Sequence, residues 1–100
     1  MKRARFVAAA RLEYLAEIIY YTEAQPGLGG RFAQAVEDAI ARALLFPTAG
    51  SPSPARTRRV LVKGFPFSLY YRPEAEGIVV FAVAHQARKP GYWRSRERDR

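Results

Sequence analysis

Arg58-Arg59-Val60-Leu61-Val62-Lys63 begins the stretch that decides the fold, and two further β-rich runs follow it: Phe67-Ser68-Leu69-Tyr70-Tyr71-Arg72 and Ile78-Val79-Val80-Phe81-Ala82-Val83-Ala84. Gly64 and Pro66 separate the first two runs, and Pro73 and Gly77 separate the last two. Short turns of this composition between β-branched and aromatic runs predict an antiparallel meander of three strands. Because the last run is apolar at every position, we expect that strand to be central or covered on both faces.

A helix is predicted upstream over residues 9–23, preceded by a short strand over 3–7. Its apolar face consists of residues that recur every three or four positions: Leu12, Leu15, Ile18, Ile19 and Thr22. Glu13 and Glu17 fall on the other side. Pro26 and Gly27 end the helix, since proline cannot continue the hydrogen-bond ladder.

A second helix is predicted over residues 29–46, and Pro47 ends it. Its apolar face consists of Phe32, Val36, Ala39, Ile40, Ala43 and Leu44. Residues 48–55 are rich in proline and small residues, which predicts a loop. Alternation along the middle strand turns Phe67, Leu69 and Tyr71 towards the helices.

The predicted order of elements is β-α-α-β-β-β. It indicates an α+β two-layer sandwich, in which an N-terminal strand and an α-helical hairpin pack on a mostly antiparallel sheet. One hundred residues fit a single domain, which we place at 1–95, with a frayed basic tail at 96–100.

Composition excludes several classes of function. The chain has no cysteine, so it has neither disulfides nor a thiol nucleophile, and it shows no metal-ligand cluster and no phosphate-binding glycine loop after a strand. We therefore expect no cofactor and no metal.

No apolar run approaches the ~20 residues of a membrane span, and the basic start is not followed by a signal-peptide core. We expect a cytoplasmic protein without a membrane partner.

The positive charge is concentrated in one part of the chain. Of the formal net charge of +8, residues 1–55 carry six basic and five acidic side chains, a net of +1, and residues 56–100 carry eleven and four, a net of +7. A surface of this kind favours an acidic partner, either nucleic acid or an acidic protein segment. The alternative is that the basic face only aids solubility.

The residues resemble the RelE/ParE superfamily of toxins from bacterial type II toxin–antitoxin systems, over nearly the whole chain. The resemblance rests on six stretches taken in order: Ile18-Ile19-Tyr20-Tyr21-Thr22, Arg31-Phe32, Leu45-Phe46-Pro47, the two strand runs from Arg58 and Phe67, and Val83-Ala84-His85-Gln86-Ala87-Arg88-Lys89-Pro90. The continuation through Tyr92 and Trp93 is more similar to the ParE branch than to the RelE branch.

The resemblance implies a growth-inhibiting toxin that an antitoxin neutralises with its C-terminal segment, in a pair of the kind associated with plasmid stabilization. ParE-like members act on DNA gyrase by binding it, and this is the function that we expect. The alternative is a RelE-like ribosome-dependent endoribonuclease that cuts mRNA. A second alternative, which the charge allows, is a non-catalytic nucleic-acid-binding module.

The candidate site residues differ between these functions. Metal-independent RNA cleavage needs proton transfer and cations for the phosphorane charge, and the candidates for it are Arg58, Arg59, Lys63, His85, Arg88 and Tyr92. Binding of the target or partner instead would use Arg58, Arg59, Arg88, Lys89, Tyr92 and Trp93.

Four of these residues have a structural alternative. His85 ends an apolar strand, where it can simply hydrogen-bond a backbone group or a tyrosine hydroxyl. Trp93 can fold back over the sheet edge, and alternation places Arg58 and Arg59 on opposite sides of their strand.

We also expect an uncovered apolar groove beside the helical hairpin, because so small a sandwich cannot bury every apolar stripe. An antitoxin helix would lie in that groove.

Overall fold

A five-stranded sheet, two α-helices and a C-terminal 3-10 helix form the structure, a computed structural model that describes residues 2–89 and 91–99. The elements in chain order are β1 (Arg3–Phe6), α1 (Ala8–Ala24), α2 (Leu28–Leu45), β2 (Ser51–Ser53), β3 (Thr57–Val62), β4 (Phe67–Glu74), β5 (Gly77–His85) and the 3-10 helix η1 (Arg94–Asp99). Neither α-helix of the described residues has the length and apolarity to cross a membrane. The predicted α+β class and the order of the main elements are confirmed.

The sheet has the strand order β1-β5-β4-β3-β2. The predicted meander is confirmed, because β3, β4 and β5 pair as antiparallel neighbours, while β1 pairs with β5 in parallel. The apolar run of β5 therefore lies between two strands, and its residues from Gly77 to Ala84 are buried. A strand that is covered on both faces does not alternate between apolar and polar residues, because neither face meets solvent.

The stretch 48–55 is not entirely a loop as the sequence predicts. Ser51–Ser53 forms the edge strand β2, in which Pro52 lies opposite Arg58 of β3. A proline lacks the N–H that a central strand needs, but an edge strand can leave that side unpaired. Pairing with β3 thus overrides the local turn composition.

The helical hairpin packs on one face of the sheet through α2 as predicted, because Phe32, Val36 and Ala39 are all fully buried. The prediction for the apolar face of α1 holds for Ile18 but is wrong for Leu12, Leu15 and Ile19, which are 67%, 46% and 59% exposed. The side of α1 that meets the core consists of Ala10, Tyr14, Ile18 and Tyr21. Both sets have helical spacing, so periodicity alone could not choose between them.

Aromatic contacts decided which side of α1 faces the core. The ring of Tyr21 lies 5.1 Å from that of Phe32 and 5.2 Å from that of Phe65, and Phe32 lies 5.1 Å from Phe67. Aromatic side chains bury more area than aliphatic ones and gain further from edge-to-face contacts. The smaller aliphatic set is consequently left in solvent.

Gly29 determines how closely the two helices approach each other. A Cβ atom at this position would lie 1.9 Å from the Thr22 Oγ1 and 2.7 Å from the Ile18 carbonyl oxygen, whereas one at Gly30 would meet nothing within 4 Å. The hairpin therefore closes against the bare backbone of α2, and only Gly29 is needed for this contact.

We predict opposite effects for two neighbouring substitutions. Gly29→Ala should lower the free energy of unfolding by roughly 1–3 kcal/mol, because α1 must shift to admit the methyl group. Gly30→Ala should raise it by about 0.5–1 kcal/mol, because alanine has the higher helix propensity and the space is open. Urea denaturation of both variants measures this, and equal effects would contradict the assigned crossing point.

Candidate functional site

The segment from Gly91 to Arg96 covers the sheet face opposite the helices. Trp93 is only 1% exposed, and its ring lies 5.0 Å from that of Tyr70 and 6.4 Å from that of Phe81. Trp93 therefore folds back on the sheet, one of the two alternatives that the sequence left open.

A β-bulge between β4 and β5 shapes the surface on which Trp93 packs. Tyr70 pairs with Ala82 and Tyr71 with Val80, so Phe81 has no partner in the register. The extra residue increases the local twist and brings the Phe81 ring against Trp93. Within the described residues, Trp93 Nε1 is a buried donor without a hydrogen-bond partner, which costs about 1–3 kcal/mol.

Glu13 anchors this segment to the helical layer. Strand β1 ends at Phe6 opposite Val80, so the next part of the β5 edge has no neighbouring strand. Glu13 Oε1 accepts the N–H of Val83 at 3.1 Å and the Arg96 guanidinium at 2.8 Å, and Arg96 also donates to the Phe81 carbonyl at 3.1 Å. The ion pair thus takes the place of a strand along the open edge of β5.

The sequence placed Glu13 on the side of α1 opposite its apolar face, but Glu13 lies at the edge of the core, where its side chain and that of Arg96 are each only 16% exposed. Arg96, which the sequence assigned to a frayed tail at 96–100, lies in η1 and holds this pair. Arg100, at the end of that predicted tail, and Pro90, in the stretch that carries the resemblance, lie outside the described residues.

Tyr92 is held by the same carboxylate. Its hydroxyl donates to Glu13 Oε2 at 2.6 Å, and the guanidinium groups of Arg88 and Arg96 lie over its ring at 3.8 and 5.0 Å. Burial, followed by the hydrogen bond and charge of Glu13, raises the pKa of Tyr92 well above its ordinary range. The hydroxyl therefore stays protonated and keeps its hydrogen bond to Glu13.

A basic cleft of about 140 Å³ lies between this segment and the ends of β3, β4 and β5. We call it the basic cleft; its lining residues are Arg59, Ser68, Tyr70, Ala84, His85, Gln86, Arg88, Lys89, Tyr92 and Trp93. The structure therefore brings together most of the predicted site residues, including five from the stretch between His85 and Trp93. No carboxylate is among the residues that line it.

Arg58 and Lys63 are not part of the basic cleft. Arg58 donates to the Gly50 carbonyl at 2.8 Å, next to Tyr71 on the helical side of the sheet, whereas Arg59 lines the basic cleft. The expected separation of the two arginines by strand alternation is confirmed. Lys63 lines a different depression, beside the helical hairpin.

His85 is exposed and bonded to backbone. Its Nδ1 accepts the N–H of Ala87 at 3.0 Å, and its ring contacts Phe67 edge-on at 5.1 Å. With Nδ1 acting as acceptor, the neutral ring carries its proton on Nε2. The structural alternative for His85 is thus confirmed, and the lone pair that a general base would use is already engaged.

An apolar groove of about 370 Å³ lies beside the C-terminal end of α2, as expected. We call it the apolar groove; its lining residues are Arg42, Ala43, Phe46, Ala49, Gly50, Ser51, Arg59, Val60, Leu61, Lys63 and Tyr71. Phe46 is 64% and Leu61 51% exposed. Cationic side chains on Arg42 and Lys63 accompany this uncovered apolar area, and none of the described residues that line it is acidic.

Sequence reasoning missed Glu13, Tyr70 and Arg96. Tyr14 packs on the core side of α1, and Glu13 immediately precedes it in the sequence. If the aromatic side of the helix is assigned to the core, Glu13 lies at the edge of the core. No comparable signal marks Arg96, because its partner is 83 residues away in the chain.

Comparisons with known proteins agree with this fold. A family model described as "ParE toxin of type II toxin-antitoxin system, parDE" matches residues 7–90. A solved structure described as "Chromosomal ParDE TA system from P. aeruginosa" is similar with a TM-score of 0.70 and 16% identity, over 85% of this chain and 96% of that chain. A comparison with curated proteins gives no match.

We predict that Tyr92→Phe lowers stability and changes its dependence on alkaline pH. Loss of a hydrogen bond to a carboxylate should cost about 1.5–3 kcal/mol near neutral pH. Because the pKa of Tyr92 is raised in the folded state, its contribution is complete below the ordinary value of 10.0 and declines as the pH rises beyond it. Denaturation at several pH values should show a smaller alkaline loss in the variant.

Tyr20→Phe is the matched control, since Tyr20 is 63% exposed. If both variants lose stability equally at neutral pH, the assignment of Tyr92 to the Glu13 anchor is wrong.

Proposed function

The chain belongs to the ParE toxin family of type II toxin–antitoxin systems, and from this premise we propose that it arrests bacterial growth by binding DNA gyrase and is silenced by a cognate antitoxin. The observation that carries the proposal is the family match over residues 7–90, which includes both helices and the sheet up to the basic cleft. A cytoplasmic location follows from this target.

The basic cleft supports binding in preference to chemistry. An RNA-cleaving site needs a free base for the 2′-hydroxyl and a free acid for the leaving oxygen. Here Nδ1 of His85 accepts a backbone N–H, and the Tyr92 hydroxyl donates to Glu13. Exposed Arg59, Arg88 and Lys89 remain as a positive surface, which suits recognition of an acidic surface on the target.

The apolar groove supports an antitoxin as the second partner. The similar solved structure is described as a ParDE system, in which a toxin accompanies an antitoxin. We infer that an amphipathic antitoxin helix lays its apolar side against Phe46 and Leu61, while its acidic residues meet Arg42 and Lys63. Covering the groove would remove exposed apolar area from water and so raise the stability of the toxin.

We predict that the purified chain inhibits DNA supercoiling by gyrase, and that Arg88→Ala with Lys89→Ala raises the half-inhibitory concentration about tenfold or more. The reason is loss of two positive charges from the basic cleft. A supercoiling assay with relaxed plasmid measures the effect.

The control is Lys2→Ala with Arg3→Ala, which removes the same charge beside Gly77, at the other end of β5. Its half-inhibitory concentration should stay within about twofold, as expected for solvent-exposed charges away from an interface. Growth arrest accompanied by cuts in translated mRNA, with gyrase unaffected, would contradict the proposal and favour the RelE-like alternative.

For the antitoxin, we predict that Phe46→Glu weakens binding of the product of the neighbouring open reading frame by roughly 100-fold, since a buried apolar contact becomes a desolvated charge. Leu12→Glu places the same charge on the exposed side of α1, away from the apolar groove, and should change the affinity little. Titration calorimetry measures both. A larger loss for Leu12→Glu would move the antitoxin interface to α1.

A further inference from the structure

The basic cleft holds positive charges that have no counter-ion among the described residues. Arg59 lies on β3 and Lys89 follows β5, and neither side chain has an ion pair or hydrogen bond with the described residues. The cleft differs from an open charged surface because its cations share a concavity, and none of the described residues that line this concavity carries a carboxylate. Such cations attract an anion, because their fields add there.

The size of the cleft restricts that anion. Its volume of about 140 Å³ is below the roughly 300–1,000 Å³ of sites for whole small-molecule ligands. It suits a single oxyanion head group, to which a guanidinium and an ammonium can donate together. The Ser68 hydroxyl, the Gln86 amide and Nε2–H of His85 supply further donors in the same lining.

An independent observation at the same place is the unsatisfied donor of Trp93. Trp93 is 1% exposed and lines the cleft, and its Nε1 has no hydrogen-bond partner among the described residues. Buried N–H groups in folded proteins nearly always have an acceptor, so an orphan donor on a residue that lines the cleft marks a place where an acceptor is missing.

The aromatic rings at the cleft favour a protein partner over nucleic acid. Single-stranded nucleic acid binds when bases stack on open aromatic faces. Here Arg88 and Arg96 lie over Tyr92, and Trp93 packs on Tyr70. These rings already have partners, so the cleft offers charge without a stacking platform.

We propose that the basic cleft is an oxyanion site that receives the carboxylate of an aspartate or glutamate side chain from a protein partner. Arg59 and Lys89 are its binding residues, with the Trp93 indole in its wall. The inference rests on the proposed function, since it names the chemical group with which a protein target would occupy this cleft.

Trp93 is the only tryptophan, so its fluorescence reports directly on the cleft. The full chain is titrated with a short blocked peptide of alternating Glu and Ala, with its Gln counterpart, and with an oligothymidylate of the same charge, at matched ionic strength. We expect a saturable change in fluorescence with the Glu peptide and none with the Gln peptide. Arg59→Gln with Lys89→Gln should weaken binding about tenfold or more.

Two kinds of variant serve as controls. Arg59→Lys with Lys89→Arg keeps both charges and should retain most of the affinity, whereas Lys2→Gln with Arg3→Gln removes equal charge at the other end of β5 and should change it less than about twofold. Equal weakening by the remote pair, an absent response to the Glu peptide, or tighter saturable binding of the oligothymidylate would each overturn the proposal.

The outcome is separable from that of the gyrase assay. If the chain does not inhibit gyrase but binds the Glu peptide through Arg59 and Lys89, the proposed target is wrong and the oxyanion site stands. If the chain inhibits gyrase but its affinity for the Glu peptide does not depend on Arg59 or Lys89, the oxyanion site is wrong and the proposed target stands.

Discussion

The unpaired edge of β5 is the constraint on which the C-terminal half of the structure depends. Strand β1 accompanies β5 only to Val80, and the backbone groups of Phe81 and Val83 then need other partners. Buried backbone groups without partners are costly, so the edge must be closed. Glu13 from α1 and Arg96 from η1 close it together, and in doing so they tie the helical layer, the central strand and the C-terminal segment to one another.

The basic cleft is a consequence of that closure. Once Arg96 and Tyr92 are bound to Glu13, the intervening Trp93 lies on the open face of the sheet over Tyr70 and Phe81. The chain between His85 and Trp93 then curves past the ends of β3 and β4, and this curve brings Arg88 and Lys89 close to Arg59. The two sheet faces thus serve different purposes: one is covered by the helices to form the core, and the other carries the C-terminal segment and the charged surface.

Family membership and geometry bear on different parts of the function. The match to the ParE toxin family establishes the class of protein, and the low identity to the similar solved structure means that this second likeness speaks for the fold. The geometry adds that the two side chains best suited to proton transfer, His85 and Tyr92, are held by internal hydrogen bonds, while arginine and lysine side chains stay exposed. A surface of this kind acts through complementarity and electrostatic steering.

Local patterns in the sequence determined strands β1 and β3 to β5, the helical hairpin and the positive C-terminal half, because turn residues, periodicity and net charge are properties of neighbouring residues. Alternation alone separated Arg58 from Arg59. Only the tertiary structure decided which side of α1 is buried, since two sets of apolar residues had the same period and the aromatic one fitted against Phe32. It alone decided the roles of Glu13, Trp93 and Arg96 as well. Glu13 meets Tyr92 and Arg96 across separations of about 80 positions, and no local pattern records a contact between groups so far apart in the chain.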